Sequence, residues 1–79
     1  MLKIGHGNSV NENRIIAIVS PDSNPIKRMI HAAADDERLI EATMGRRTRA
    51  VIVMDSGHVV TSSVGYEILA GRLGGVKDV

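Results

Sequence analysis

The core of this chain has to be assembled without a single phenylalanine, tryptophan or cysteine. Aromatic side chains bury the largest area per residue, and disulfides or thiolate-bound metals are the usual supplements to a short chain. Neither cysteine-based supplement is available here. The apolar material is aliphatic, with Tyr66 as the one aromatic residue among 79. A chain of this length forms one small domain with a limited core. Contact with further copies is the remaining way to bury more apolar surface, so the composition predicts a homo-oligomer.

Apolar patterning places the elements. Leu2–Gly5 reads as a short strand, and Gly5–Ser9 as a turn. Arg14–Ser20 is apolar on both faces, with Ile15, Ala17 and Val19 on one and Ile16 and Ile18 on the other, which predicts an interior strand. Asn24 before Pro25 predicts a helix N-cap, and Ile26, Met29, Ile30 and Ala33 recur at helical spacing. Asp35, Asp36 and Glu37 crowd the end of that helix, where the macrodipole disfavours anions, so a cation such as Arg38 is expected nearby. Leu39–Met44 and Arg49–Asp55 read as a hairpin with Gly45–Thr48 at its tip. Asp55–Gly57 turns into a further strand over His58–Ser63. A short last helix covers Tyr66–Leu73 and is stopped by Gly74–Gly75. The expected class is α+β, a small antiparallel-rich sheet with one clear helix and a short C-terminal one. Residues 1–73 form the domain, and 74–79 read as a flexible tail.

Ten Lys and Arg against nine Asp and Glu leave a formal charge of +1, so the chain is not a uniformly basic DNA-coating protein. Binding a polyanion requires its cations to be sorted onto one face. The segment with that potential is Gly45–Arg49, where Arg46, Arg47 and Arg49 lie within four positions and no acid occurs between Ala42 and Met54. Guanidinium is permanently charged, and its planar fork matches phosphate oxygens. Gly45 lets the backbone bend close to a ligand. The residues alone leave two readings open: a phosphate-gripping tip, or a solvated turn whose arginines make weak ion pairs. Arg14 also stands out, because a charge at the mouth of a two-sided apolar strand needs a partner. With one Tyr and three scattered His there is no platform for stacking single-stranded bases, which favours duplex DNA among nucleic acids.

Other chemistry is weakly represented. Asp55, Ser56 and His58 are hydrolase residue types packed into one turn, where the directional relay of a triad is not expected. Glu41 and Glu67 stand alone, and His6, His31 and His58 lack metal-ligand spacing. Gly5–Asn8 lacks the Gly-Lys-Ser/Thr ending of a phosphate loop, and Asn11 and Asn13 suit turn hydrogen bonding. No catalytic residue, cofactor, metal or small-molecule substrate is expected. No apolar run suits a membrane span, Met1–Lys3 lacks a signal-peptide core, and the lack of cysteine fits a cytoplasmic protein.

Four blocks together resemble the RemA-like extracellular matrix regulatory proteins. They are Asn13–Pro21, Pro25–Arg28, Ala42–Thr43 with Gly45–Val51, and Met54–Ser56. The resemblance runs over almost all of Ile4–Leu73. It implies a LytTR-like fold, a closed ring of subunits, and a cytoplasmic, nucleoid-associated and non-enzymatic protein whose partners are duplex DNA and itself. It also implies transcriptional control of biofilm-matrix genes or nucleoid organisation. The family's DNA-binding arginines fall on Arg14, Arg46 and Arg47, with Arg49 in the same motif. Met44 stands where the family pattern has an aromatic, His6 where it has an apolar residue, and Gly65–Glu67 where a Gln–Pro–Glu-like helix start is usual.

Overall fold

Five successive apolar residues, Ala50–Met54, form the strand around which the molecule is built. The computed structural model describes residues 1–73, so the expected stop at Gly74–Gly75 and the tail 74–79 lie outside the described residues. In chain order the elements are β1 (Leu2–Gly5), β2 (Asn8–Val10), a 3-10 turn at Glu12–Arg14, β3 (Ile15–Val19), α1 (Asn24–Asp35), β4 (Leu39–Glu41), β5 (Ala50–Met54), β6 (Val59–Ser62) and α2 (Tyr66–Arg72). β1 and β2 form a separate two-stranded ribbon, while the main sheet has the order β3-β5-β6-β4. The class is α+β, as the patterning predicts.

Three layers result. Val51 and Val59 face α1, meeting Ile26, Met29, Ile30 and the fully buried Ala33. Ala50, Ile52 and Val60 face the other way, against Leu2 and Ile4 of β1 and Leu69 of α2. β5 is therefore covered on both faces, and each fully buried Val or Ile on it contributes about 1.5–3 kcal/mol. Ser62 ties the outer layer down: its hydroxyl donates to the Ile4 carbonyl at 2.7 Å and accepts from the Val64 N–H at 3.0 Å.

Four expectations are corrected. Leu39–Met44 and Arg49–Asp55 do not pair as a hairpin. β6 lies between β4 and β5, parallel to β4 and antiparallel to β5. The hairpin is β5–β6, closed where the Met54 N–H donates to the His58 carbonyl. The sheet accordingly carries a parallel pair that strand composition alone did not indicate.

β3 is not an interior strand but an edge, with Ile16 66% exposed. Its faces also differ from simple alternation. The register of β3 on β5 shifts between Ile15 and Ala17, a bulge that puts Ile15 and Ile18 into the same core cluster and turns Ile16 outward.

The cap of α1 is Ser23 rather than Asn24. The Ser23 hydroxyl accepts from the Ile26 N–H at 3.4 Å, leaving Pro25 in the first turn, where no amide partner is missed.

Finally, residues 5–9 are more than a turn. β1 and β2 pair through His6–Gly7, both at positive φ (55° and 80°), the geometry of a two-residue type I′ hairpin.

The acidic end of α1 is organised as expected. Arg38 reaches Asp36 at 3.1 Å and also donates to the Gly57 carbonyl. The Arg38 N–H bonds Ala33 and the Glu37 N–H bonds Ala34, which is a Schellman end with Glu37 in the left-handed position at φ 59°.

Candidate nucleic-acid interface

The connection from β4 to β5, residues 42–49, carries the arginines. It passes over the C-terminal end of β6. At its start the Ala42 N–H donates to the Thr61 carbonyl at 3.0 Å, and at its finish the Arg49 N–H donates to the Ser62 carbonyl at 2.8 Å. The two anchors grip β6 from opposite sides. Between them the chain reverses at Thr43–Arg46. The Arg46 N–H closes on the Thr43 carbonyl at 3.0 Å, and Met44 and Gly45 have φ of 53° and 78°. Two left-handed residues in succession define another type I′ turn, for which Gly45 is well suited. The turn delivers Arg46 directly beyond it.

Arg46, Arg47 and Arg49 carry the charge of this connection, and among the described residues none forms an ion pair. Arg46 and Arg47 are exposed and Arg49 is exposed beside the half-buried Thr48. The three line a shallow concavity of about 550 Å³ together with His6 and Ser63, and no carboxylate lines it. On its far side Arg47 and Arg49 also border a groove of about 290 Å³ with Asp22, Tyr66 and Glu67. Permanent cations lining a concavity free of acids attract an oxyanion such as phosphate, and they are screened by salt.

Arg14 is not part of this cluster. It sits where β3 begins, and its Nε–H is held by both oxygens of Asp55 at 3.0 and 2.9 Å. Arg49 precedes β5 and Asp55 follows it, so the two positions lie about 20 Å apart along a strand. Sequence reading identifies the arginines but misses His6 and Ser63 as neighbours. The signal available for His6 is the His6–Gly7 dipeptide, followed by Asn8, in a segment of turn-forming residues.

Asp55, Ser56 and His58 do not line up for nucleophilic catalysis. Ser56 Oγ and His58 Nδ1 are 2.7 Å apart, but the Asp55 carboxylate is turned to Arg14. Asn11 accepts from the Asn13 N–H at 3.0 Å, the turn role expected for it. Among the described residues no three potential metal ligands gather, and no helix is long and apolar enough to cross a membrane.

The RemA-like family model, described as extracellular matrix regulatory protein A-like, matches residues 1–73. The chain belongs to the RemA-like family. A relative from Geobacillus sp. (strain WCH70), named as a regulatory protein, is 58% identical over 78 residues, covering 99% of this chain and 90% of the relative. Similarly named proteins from Geobacillus kaustophilus and Acaryochloris marina are each 58% identical, over 98% and 99% of this chain and 88% and 89% of their own lengths. In this RemA-like chain the family block Gly45–Val51 supplies the second half of the crossing loop and the start of β5. Met44, in the crossing turn, is 74% exposed and lies outside the core of this protomer.

Proposed function

We propose that this RemA-like protein is a non-enzymatic regulator that binds duplex DNA through its phosphates and works as a closed ring of identical subunits. The family and the names of the relatives support a regulatory role. The observation that carries DNA binding is the sharing of one acid-free concavity by Arg46, Arg47 and Arg49. Phosphate contacts of this kind position a protein on DNA without reading sequence, so DNA bendability supplies the preference.

The sheet edges support assembly. β3 and β4 end the sheet on opposite sides, and each carries an exposed isoleucine, Ile16 at 66% and Ile40 at 50%. β3 has no charge to deter pairing. Two different sticky edges on one subunit favour head-to-tail contact, which closes into a ring when the rotation permits. Repetition then multiplies weak arginine contacts into useful affinity. Arg14 contributes from its separate position once subunits are repeated. A cytoplasmic, nucleoid-associated location belongs to the same proposal, with matrix-gene control or nucleoid organisation as its output.

The test is a duplex shift assay on Arg46→Ala and Arg47→Ala, after sedimentation confirms that each variant assembles like the wild type. Weaker binding is expected, with a salt slope shallower by about 0.9 for each phosphate that is no longer neutralised. Unchanged affinity and slope in both variants reject the reading. A failure to assemble, with DNA affinity per assembled particle intact, assigns these arginines instead to a neighbour's Asp35, Asp36 and Glu37.

A further inference from the structure

We propose that His6 is a fourth cationic contact for duplex phosphate, acting with Arg46, Arg47 and Arg49 when its imidazole is protonated. The proposal rests on the DNA-binding reading above and extends it to a residue on a different element. Three observations carry it. His6 occupies the tip of the β1–β2 hairpin, at φ 55° in the type I′ geometry, and is exposed there. Its Nε2 lies 3.1 Å from Ser63 Oγ, which fixes the hairpin tip against the connection between β6 and α2. His6 and Ser63 then line the same concavity as the three arginines.

Every side chain of that lining is a cation or can donate a hydrogen bond. Facing His6 from the β4–β5 connection are Arg46, Arg47 and Arg49, and from the β6–α2 connection the neutral Ser63. Its hairpin neighbours Gly5, Gly7 and Asn8 do not titrate, and Lys3 is the cation of its own ribbon. Asp22 and Glu67 are the carboxylates of the adjoining groove, beyond Arg47 and Arg49. In the free protein, therefore, the concavity offers the imidazolium cations as neighbours and no anion. A phosphodiester seated there reverses the balance, because it neutralises the guanidiniums and accepts the second N–H of a protonated ring. Phosphate binding and proton uptake at His6 are thus coupled. Affinity is higher with the imidazole charged than with it neutral.

The experiment measures fluorescence anisotropy of a labelled duplex at constant ionic strength, between about pH 5 and about pH 8. The full chain is compared with His6→Asn, which is neutral and tolerates a left-handed backbone, and with His6→Lys, which keeps a charge throughout. Parallel titrations with inorganic phosphate as competitor separate a duplex seat from a free-anion site. The wild type is expected to bind about two- to five-fold tighter per engaged subunit at the acidic end. Its salt slope should steepen there by about 0.9 per engaged histidine. His6→Asn flattens both changes, and His6→Lys holds the acidic behaviour at high pH. A wild type that binds duplex with no pH dependence overturns the role of His6 alone. So does an undiminished dependence in His6→Asn, which His31 or His58 would then own. Displacement of DNA by millimolar-range phosphate at matched ionic strength overturns it in favour of a free-anion site. Failure of the wild type to bind duplex at any pH overturns the DNA-binding reading and this one with it.

Discussion

Arg14 and Asp55 are joined twice across 41 residues of sequence. The Arg14 Nε–H is shared by both carboxylate oxygens of Asp55, at 3.0 and 2.9 Å. The Asp55 N–H donates to the Arg14 carbonyl at 2.8 Å. The pair closes the end of the β3–β5 ladder just beyond Ile15 and Met54. It also answers the question posed by a charge at the mouth of an apolar strand: its partner is the aspartate that follows the C-terminal end of the neighbouring strand.

This pairing yields a prediction for DNA. Asp55→Asn removes one negative charge and leaves the Arg14 guanidinium without its competing anion. Both groups are well exposed, so stability should fall by no more than about 1 kcal/mol. Duplex affinity should rise by about two- to five-fold at low salt and lose that gain at high salt. Anisotropy across a salt series checks it; weaker binding by Asp55→Asn counts against Arg14 as a DNA contact.

The crossing turn gives a stability pair. An added Cβ at Gly45 meets nothing within 4 Å, so Gly45→Ala tests the left-handed backbone alone. It should destabilise by about 1 kcal/mol. Met44→Asn, at φ 53° and with its side chain exposed, should stabilise by about 0.5 kcal/mol, because asparagine tolerates that conformation. Urea denaturation of both variants measures the difference.

At the end of α1, Glu37→Gly should raise thermal stability. The substitution relieves a left-handed non-glycine residue at φ 59° and removes an acid from the negative pole of the helix. After the entropy of glycine in the unfolded chain is subtracted, a net gain of about 0.5–1 kcal/mol remains. A melting curve shows it as an increase in Tm of a few degrees, and a decrease would mean that Glu37 makes a contact in the assembly.

Two adjacent buried hydroxyls on β6 should respond oppositely. Thr61 Oγ1 is buried without a hydrogen-bond partner among the described residues, so Thr61→Val should be neutral or stabilising by up to about 1 kcal/mol. Ser62 serves Ile4 and Val64, so Ser62→Ala strands a buried carbonyl and should cost about 1–3 kcal/mol. Chemical denaturation with matched m-values distinguishes the two.

Ile16→Lys addresses assembly. Charging the open β3 edge should lower the particle mass in solution while leaving the protomer folded, because Ile16 is exposed within it. DNA affinity should then fall as multivalency disappears, although every arginine is still in place. Sedimentation, circular dichroism and anisotropy on the same sample check the three parts; an unchanged mass removes β3 from the interface.

Local chemistry was legible wherever one residue decides its own conformation. The apolar stripe of α1, the turn at Asp55–Gly57 and the arginine segment could all be read from order and side-chain type. The cap at Ser23 was missed because serine and asparagine compete on nearly equal terms for that position. The ribbon of β1 with β2 was missed because three residues, Asn8–Val10, are too few for a periodic signal.

By itself, then, the sequence determined an aliphatic α+β domain, its main helix and a cluster of permanent cations, because those properties follow from residue type and short-range spacing. Only the tertiary structure decided that β6 enters between β4 and β5, that a bulge turns Ile16 out, and that His6 and Ser63 join Arg46 while Arg14 goes to Asp55. Strand pairing joins residues far apart in the chain, and its register depends on the packing of both layers at once. A one-dimensional pattern carries the preference of each strand for burial, but not the identity of the strand it will lie beside.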